Sequence, residues 1–209
     1  MGVPVSTRLR LTAVLTGMAL ATLGLAAPAF ADGLSIADPS RDMVGYCDGA
    51  GDCPAAGTDP SRSDGDMSST SITHSATNLM VKTYFNGLTK PGKKSGAWTF
   101  LIQTYASGTT RNFQLAVATG GTKDGESTDG VTFLINKGNS TLVSCAGRKT
   151  GIDYDANNIR VIIPRTCLKN PYRLRIGVLY YQRPTTADGL DGYRDKWPLS
   201  GYTDWIRHS

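Results

Sequence analysis

Beyond about residue 67, large apolar residues alternate with polar ones at a period of two. Examples are Trp98, Phe100 and Ile102 in one segment and Ile176 and Val178 in another. This period gives a strand one buried and one wet face, which is typical of antiparallel sheets. Turn-forming Gly, Asn, Asp and Pro separate the segments at intervals usual for a sandwich. We therefore predict an all-β fold, an antiparallel β-sandwich of jelly-roll-like or immunoglobulin-like type with seven to ten strands.

The first 31 residues have a different composition. Arg8 and Arg10 precede an apolar run, and Ala29-Phe30-Ala31 follows it. A basic lead, a short apolar stretch and a small-x-small exit are the parts of a secretory signal peptide, so we predict one at residues 1–31. The mature protein is then secreted and extracellular. No later stretch reaches the ~18 apolar residues that a membrane span needs, so no membrane partner is expected after cleavage.

The remaining 178 residues suit one domain with distinct ends. Residues 32–66 form an acidic, Asp/Gly/Pro-rich segment with one short strand candidate at Met43–Tyr46. We assign residues 67–183 to the sandwich core. Residues 184–209 form a loop-like, aromatic-containing tail that we expect to be packed on the core. A solvent-facing aromatic platform for sugars is the functional alternative for this tail.

Charge is distributed unevenly along the mature chain. Residues 32–66 hold eight Asp against two Arg, a net of −6, whereas residues 67–209 hold 18 basic against nine acidic residues, a net of +9. The overall balance of +3 is too slight to indicate a nucleic-acid partner. The acidic segment either binds cations or lies against the basic body, or the two surfaces are solvated independently.

The four cysteines fit an oxidising compartment. Four cysteines allow three pairings, and proximity along the chain favours Cys47 with Cys53 and Cys145 with Cys167. A zinc site would need a C-x-x-C pair or a His near a Cys, and the sequence has neither. We therefore predict structural disulfides.

Five aspartates of the acidic segment are candidate metal ligands. They are Asp38, Asp42, Asp59, Asp64 and Asp66. They lie in two similar stretches, residues 37–43 and 58–67, each leading towards a strand candidate. If the short strand lies beside the strand that begins near Met67, their oxygens form one cage of the kind that calcium prefers. Asp-Pro and Asp-Gly are also ordinary turn formers, so the sequence requires no cofactor. If these aspartates do bind a metal, calcium is the candidate ion.

Catalytic patterns are sparse, and we assign no catalytic residue. The mature chain has two histidines, His74 and His208, a single Glu, Glu126, and no G-x-S-x-G motif. Because His74 alternates in phase with Ile72, we interpret it as a structural histidine within a strand. A hydrolase that uses His74 with carboxylates of the acidic segment is the enzymatic alternative.

Several local motifs resemble a group of small secreted, largely uncharacterised actinobacterial β-sandwich proteins. The similarity spans about residues 60 to 180, and its motifs are Asp64-Gly65-Asp66, Ile72, His74-Ser75, Leu79-Met80-Val81, Phe85, and the segment IRVIIPRTCL ending at Leu168. The resemblance implies a compact β-sandwich and no particular activity. More loosely, an Asp-rich lead into a sandwich is similar to carbohydrate-binding modules and DOMON-like domains, some of which bind calcium, sugar or haem.

These observations favour a secreted, non-catalytic binding or structural protein whose ligand the sequence does not identify. Cell-wall or extracellular polysaccharide is the candidate partner, because export, sandwich patterning and scattered aromatics coincide without a catalytic constellation. The alternatives are the hydrolase described above and a secreted inhibitor or interaction protein. We expect a monomer.

Overall fold

The computed structural model describes residues 32–39, 41–46, 58, 60–90, 95–120, 122–123, 126–182, 192–198 and 201–208. The fold is all-β and antiparallel, as predicted from the period-two pattern. The strands are β1 (Asp32–Ala37), β2 (Val44–Tyr46), β3 (Met67–His74), β4 (Asn78–Phe85), β5 (Ser95–Ala106), β6 (Thr109–Gly120), β7 (Thr122–Lys123), β8 (Glu126–Ser127), β9 (Thr132–Asn136), β10 (Thr141–Leu142), β11 (Lys149–Asp153), β12 (Asn158–Pro164), β13 (Arg173–Gln182), β14 (Gly192–Trp197) and β15 (Ile206–Arg207). One 3₁₀ helix, Arg165–Leu168, follows β12.

Two sheets pack face to face as a β-sandwich. The smaller has the order β1-β3-β4-β12-β11, and the larger has the order β10-β9-β6-β5-β13-β14-β2, with β15 also paired to β13. In the described part of the chain these sheets hold 13 strands, more than the seven to ten predicted. The excess comes from strands such as β2, β10 and β15, which have two or three residues and are too short to produce a readable alternation.

The core lies between the sheets and is built from the inward-facing residues of the alternating segments. Trp98, Phe100 and Ile102 of β5 are fully buried, and so are Ile176 and Val178 of β13. Each such side chain contributes roughly 1.5–3 kcal/mol of hydrophobic stabilisation. The long strands β5 and β13 pair along their whole shared length, so they place these residues in a continuous layer.

A disulfide joins Cys145, which follows β10, to Cys167 in the 3₁₀ helix, and this confirms the second predicted pairing. Cys47 and Cys53 lie outside the described residues. Among the described residues, no helix is long and apolar enough to cross a membrane.

Residues 32–66 and 184–209 contain more strand than predicted. The acidic segment carries β1 as well as β2, because β1 gains its backbone partners from β3 although its own sequence is weakly β-forming. The segment predicted as a loop-like tail contains β14 and β15, which both pair with β13. Trp197 and Ile206 anchor these strands in the core.

Between β14 and β15 the chain crosses the outer face of the large sheet at Gly177. A Cβ atom on Gly177 would lie 2.1 Å from the carbonyl oxygen of Gly201. Thr203 continues the pairing, since its backbone N–H donates to the carbonyl of Ile176 at 2.9 Å. Only glycine at position 177 therefore leaves room for this crossing.

Candidate cation site

Four aspartates meet at one end of the sandwich. Asp38 directly follows β1, Asp42 precedes β2 by two residues, Asp66 directly precedes β3, and Asp195 lies within β14. β1 and β3 belong to the small sheet, whereas β2 and β14 belong to the large one. The cluster therefore forms where the chain passes from one sheet to the other.

Three of these carboxylates are close enough to share one ion. Oxygen atoms of Asp42, Asp66 and Asp195 all lie within 4.8 Å of one another. Calcium binds oxygen at 2.3–2.6 Å, so two ligand atoms on opposite sides of the ion are roughly 5 Å apart. The spacing thus matches a single shared cation.

Backbone donors fix two of the carboxylates. The N–H of Arg41 donates to Oδ1 and Oδ2 of Asp66 at 3.0 and 2.9 Å. The N–H of Met67 donates to Oδ2 of Asp195 at 2.6 Å, and the N–H of Lys196 donates to Oδ1 at 2.7 Å. Asp66 and Asp195 are therefore held in place before any ligand arrives.

Asp38 and Asp42 differ from these two residues, because some of their carboxylate oxygens have no hydrogen-bond partner. The Asp38 side chain is only 8% exposed. Both of its carboxylate oxygens, and Oδ1 of Asp42, are buried without a hydrogen-bond partner. An unpaired buried carboxylate is costly, so these atoms need a proton or a cation.

The pKa values have the same physical origin. Burial, followed by the charges of Asp195, Asp42 and Asp66, raises the pKa of Asp38 from 3.8 to about 8. Burial also raises the pKa of Asp195 to about 7, against the lowering effect of its hydrogen bond from Met67. Burial and the charge of Asp66 raise the pKa of Asp42. Every charge of a described residue that shifts the pKa of Asp38 is negative, so burial and like charge act together on this carboxyl group.

A groove of about 490 Å³ adjoins the cluster. Its lining residues are Asp42, Val44, Leu101, Leu179, Arg194, Asp195 and Lys196. Since Asp42 and Asp195 belong to both the groove and the cluster, an ion held there is reachable from solvent and can keep water ligands.

The structure sorts the five predicted metal ligands into three groups. It brings Asp38, Asp42 and Asp66 together. It directs Asp64 elsewhere, because Oδ1 of Asp64 accepts from the N–H of Thr89 at 2.8 Å and Oδ2 accepts from Nε2 of Gln182 at 2.7 Å. The prediction that Asp64 is a ligand is therefore not supported. Asp59 lies outside the described residues.

The strand arrangement that brings these aspartates together also differs from the one considered from the sequence. The shared cage was conditional on the short strand β2 lying beside β3, but β2 pairs with β14 and β1 pairs with β3. The acidic turns consequently meet across the sandwich instead of side by side in one sheet.

Asp195 is the ligand candidate that sequence reasoning missed. In β14, Tyr193, Asp195 and Trp197 are buried, whereas Arg194 and Lys196 are exposed. The sequence feature that could have revealed Asp195 is an acidic residue at an inward-facing position of a period-two pattern. Its alternation was hidden within a segment that resembled a loop.

His74 occupies the opposite end of β3 from Asp66. Its side chain is fully buried, with Nδ1 3.3 Å from the carbonyl oxygen of Ile206 and its ring edge-on to His208. Eight residues of extended strand separate the two by roughly 25 Å. Asp32 lies opposite His74 in the strand register, but its side chain is outside the described atoms. His74 therefore cannot act together with the aspartate cluster.

Comparison with known proteins assigns the chain to no family. No protein-family model matches the chain, and no curated protein matches its sequence. The resemblance to small secreted actinobacterial proteins therefore stays a prediction.

Proposed function

We propose that the protein is an exported, non-catalytic binding protein whose acidic N-terminal segment is held to the sandwich by calcium. The observation that carries this proposal is Asp38, whose buried carboxylate has no hydrogen-bond partner and faces the charges of Asp42, Asp66 and Asp195. Buried like charges without a counterion are strongly unfavourable, and a divalent cation relieves that repulsion.

The donor set supports calcium over other metals. All four side chains offer carboxylate oxygens, which suit hard cations, and among the described residues no His or Cys joins the three-carboxylate group. Calcium accepts six to eight oxygens in flexible geometry, whereas magnesium demands a near-ideal octahedron and retains several waters. Carboxylates held by hydrogen bonds on Asp66 and Asp195, together with oxygens of Asp38 and Asp42 that have no hydrogen-bond partner, fit the more permissive ion.

A bound ion would have a structural effect, because its ligands come from both sheets. It would fasten the β1–β2 segment and the start of β3 to β14. The signal-like residues 1–31 and the Cys145–Cys167 disulfide support export to an oxidising, calcium-containing environment. The hydrolase alternative gains no support, since His74 lies far from the cluster, and the inhibitor alternative stays a prediction.

Isothermal titration calorimetry of the purified protein tests the proposal. We expect one calcium ion per chain, weaker binding of magnesium, and at least tenfold weaker calcium binding in Asp42→Asn and Asp195→Asn. The control is Asp155→Asn, which changes an exposed aspartate outside the cluster and should bind calcium like the wild type. Absence of calcium binding at millimolar concentration, or wild-type affinity in Asp195→Asn, would contradict the proposal.

A further inference from the structure

Three arginines share the outer face of the large sheet. Arg173 and Arg175 are two residues apart on β13, so they point to the same side, away from the buried Leu174 and Ile176. Arg207 of β15 lies directly opposite Arg173 in the strand register, so it also faces outward. We call Arg173, Arg175 and Arg207 the arginine face.

Aromatic rings contact all three arginines, and the guanidinium of Arg207 lies 5.8 Å from the ring centroid of Tyr172. The guanidinium of Arg173 lies 4.6 Å from the ring centroid of Tyr105 and 4.8 Å from that of Trp205. The guanidinium of Arg175 lies 5.0 Å from the centroids of both Tyr202 and Trp205. Cation–π contacts of this kind fix the orientation of the charged group without neutralising it.

These contacts favour attachment of the tail to the sheet over a solvent-facing platform for sugars. Tyr202 and Trp205 each offer a ring to guanidinium groups of β13, so the aromatic residues attach the tail to the sheet. Sugar stacking needs an open ring face, and here guanidinium groups compete for those faces. Recognition at this surface therefore falls to the arginines themselves.

The positive charge of the arginine face is not compensated within the described part of the chain, where none of the three arginines forms a salt bridge. Besides its ring contacts, Arg175 donates from Nε to Oε1 of Gln103 at 2.8 Å, and Gln103 is neutral. Nε of Arg173 is buried without a hydrogen-bond partner. Like charges directly opposite one another, as in Arg173 and Arg207, destabilise a strand pair unless an anion lies between them.

We propose that the arginine face binds an acidic polysaccharide, a polymer whose sugar rings carry carboxylate or sulfate groups. Arg173 and Arg175 are spaced by roughly 7 Å along the strand, so one polymer with repeating anions can contact both. Planar guanidinium groups bind carboxylate and sulfate with paired N–H donors. Single-stranded nucleic acid fits less well, because its bases need free aromatic rings for stacking.

The arginine face is separate from the cation site. The arginines lie on the outer side of the large sheet, whereas Asp195 is buried in its inner layer. Calcium binding and polysaccharide binding can consequently succeed or fail independently.

Affinity electrophoresis in gels with hyaluronate, dextran sulfate or uncharged dextran tests the proposal, with single-stranded DNA as a competitor. We expect wild type to be retarded by hyaluronate or dextran sulfate at low salt but not by dextran, and retardation to fall as salt rises. The variant Arg173→Gln/Arg175→Gln should bind at least tenfold more weakly. Arg160→Gln, which removes an exposed arginine of the small sheet, should bind within twofold of wild type.

Hyaluronate and dextran sulfate distinguish carboxylate from sulfate as the preferred group, and tight binding of either supports the proposal. Equal retardation of wild type and the double variant, retardation by uncharged dextran, or tighter binding of DNA than of both acidic polymers would overturn it. A thermal melt checks that the variants fold. If the double variant does not fold, Arg207→Gln replaces it, because Arg207 is exposed. A threefold or greater loss of affinity in that variant supports the proposal, and a smaller loss overturns it.

Discussion

Replacing Asp38 with Asn removes a negative charge from the buried cluster and keeps the side-chain size. The burial and the three carboxylates that raise the pKa of Asp38 from 3.8 to about 8 penalise its ionised form. Each pKa unit corresponds to about 1.4 kcal/mol, which gives on the order of 6 kcal/mol for the full shift. Asp42 and Asp195 line the adjoining groove, so solvent screens part of the repulsion within the cluster, which leaves about 2 kcal/mol.

The direction of the pH dependence follows from proton binding. Between about pH 4 and pH 8 the folded protein keeps the Asp38 proton that the unfolded chain has released. Without a cation, the stability of the wild type is therefore greatest below this window and falls as pH rises through it. The shift of Asp195 to about 7 acts in the same direction. In chelator at pH 8, we expect D38N to be more stable than wild type by about 2 kcal/mol, a rise in Tm of about 4–8 °C.

Calcium should reverse the order of the two proteins. Wild type at pH 8 should gain about 2.7 kcal/mol when calcium is a hundredfold above its Kd, and D38N should gain much less because it lacks a charged ligand. Urea denaturation at pH 5 and pH 8, with chelator or with millimolar calcium, measures all four conditions, and D155N serves as the charge-matched control. The reasoning is refuted if D38N is less stable than wild type in chelator at pH 8, or if calcium stabilises both equally.

Three further predictions concern the framework around the site. Gly177→Ala should lose about 2–4 kcal/mol of stability in urea denaturation, because its Cβ meets the Gly201 carbonyl. The control Gly151→Ala has open space around its Cβ and should change stability little. Equal effects of the two substitutions would contradict the crossing described above. Reducing the Cys145–Cys167 disulfide, which closes a loop of 22 residues, should lower the free energy of unfolding by about 3 kcal/mol. Urea denaturation with and without reductant measures this change, and an unchanged denaturation midpoint would contradict the prediction. His74→Gln should cost about 1–3 kcal/mol yet leave calcium affinity within twofold by calorimetry, and a larger loss of affinity would tie His74 to the cluster.

The long strands were predictable because the alternation within each strand's own sequence identifies its buried positions. In the middle of β5 and β13, large apolar residues occupy alternate positions, and these residues are buried. β1 and β15 were not predictable, because they are strands only through pairing with β3 and β13. Their own sequences carry too few alternating positions to distinguish them from turns.

The candidate site was half predictable for a related reason. Asp38, Asp42 and Asp66 stand out because they are close in sequence within an acidic segment. Asp195 comes from a strand at the other end of the chain, and its bond from Met67 spans 128 residues. No local pattern encodes such a meeting, which depends on the order of strands in the large sheet. The same order turned Asp64 towards Thr89 and Gln182.

The structure locates part of the uneven charge of the sequence. Among the described residues of the acidic segment, Asp38 and Asp66 are buried close to Asp195, which adds a further negative charge. The arginine face lies on the outer side of the same large sheet, and within the described residues none of its arginines forms a salt bridge. The arginine face and the aspartate cluster are thus two separate charge groups, although Arg194 and Lys196 line the groove beside Asp42 and Asp195.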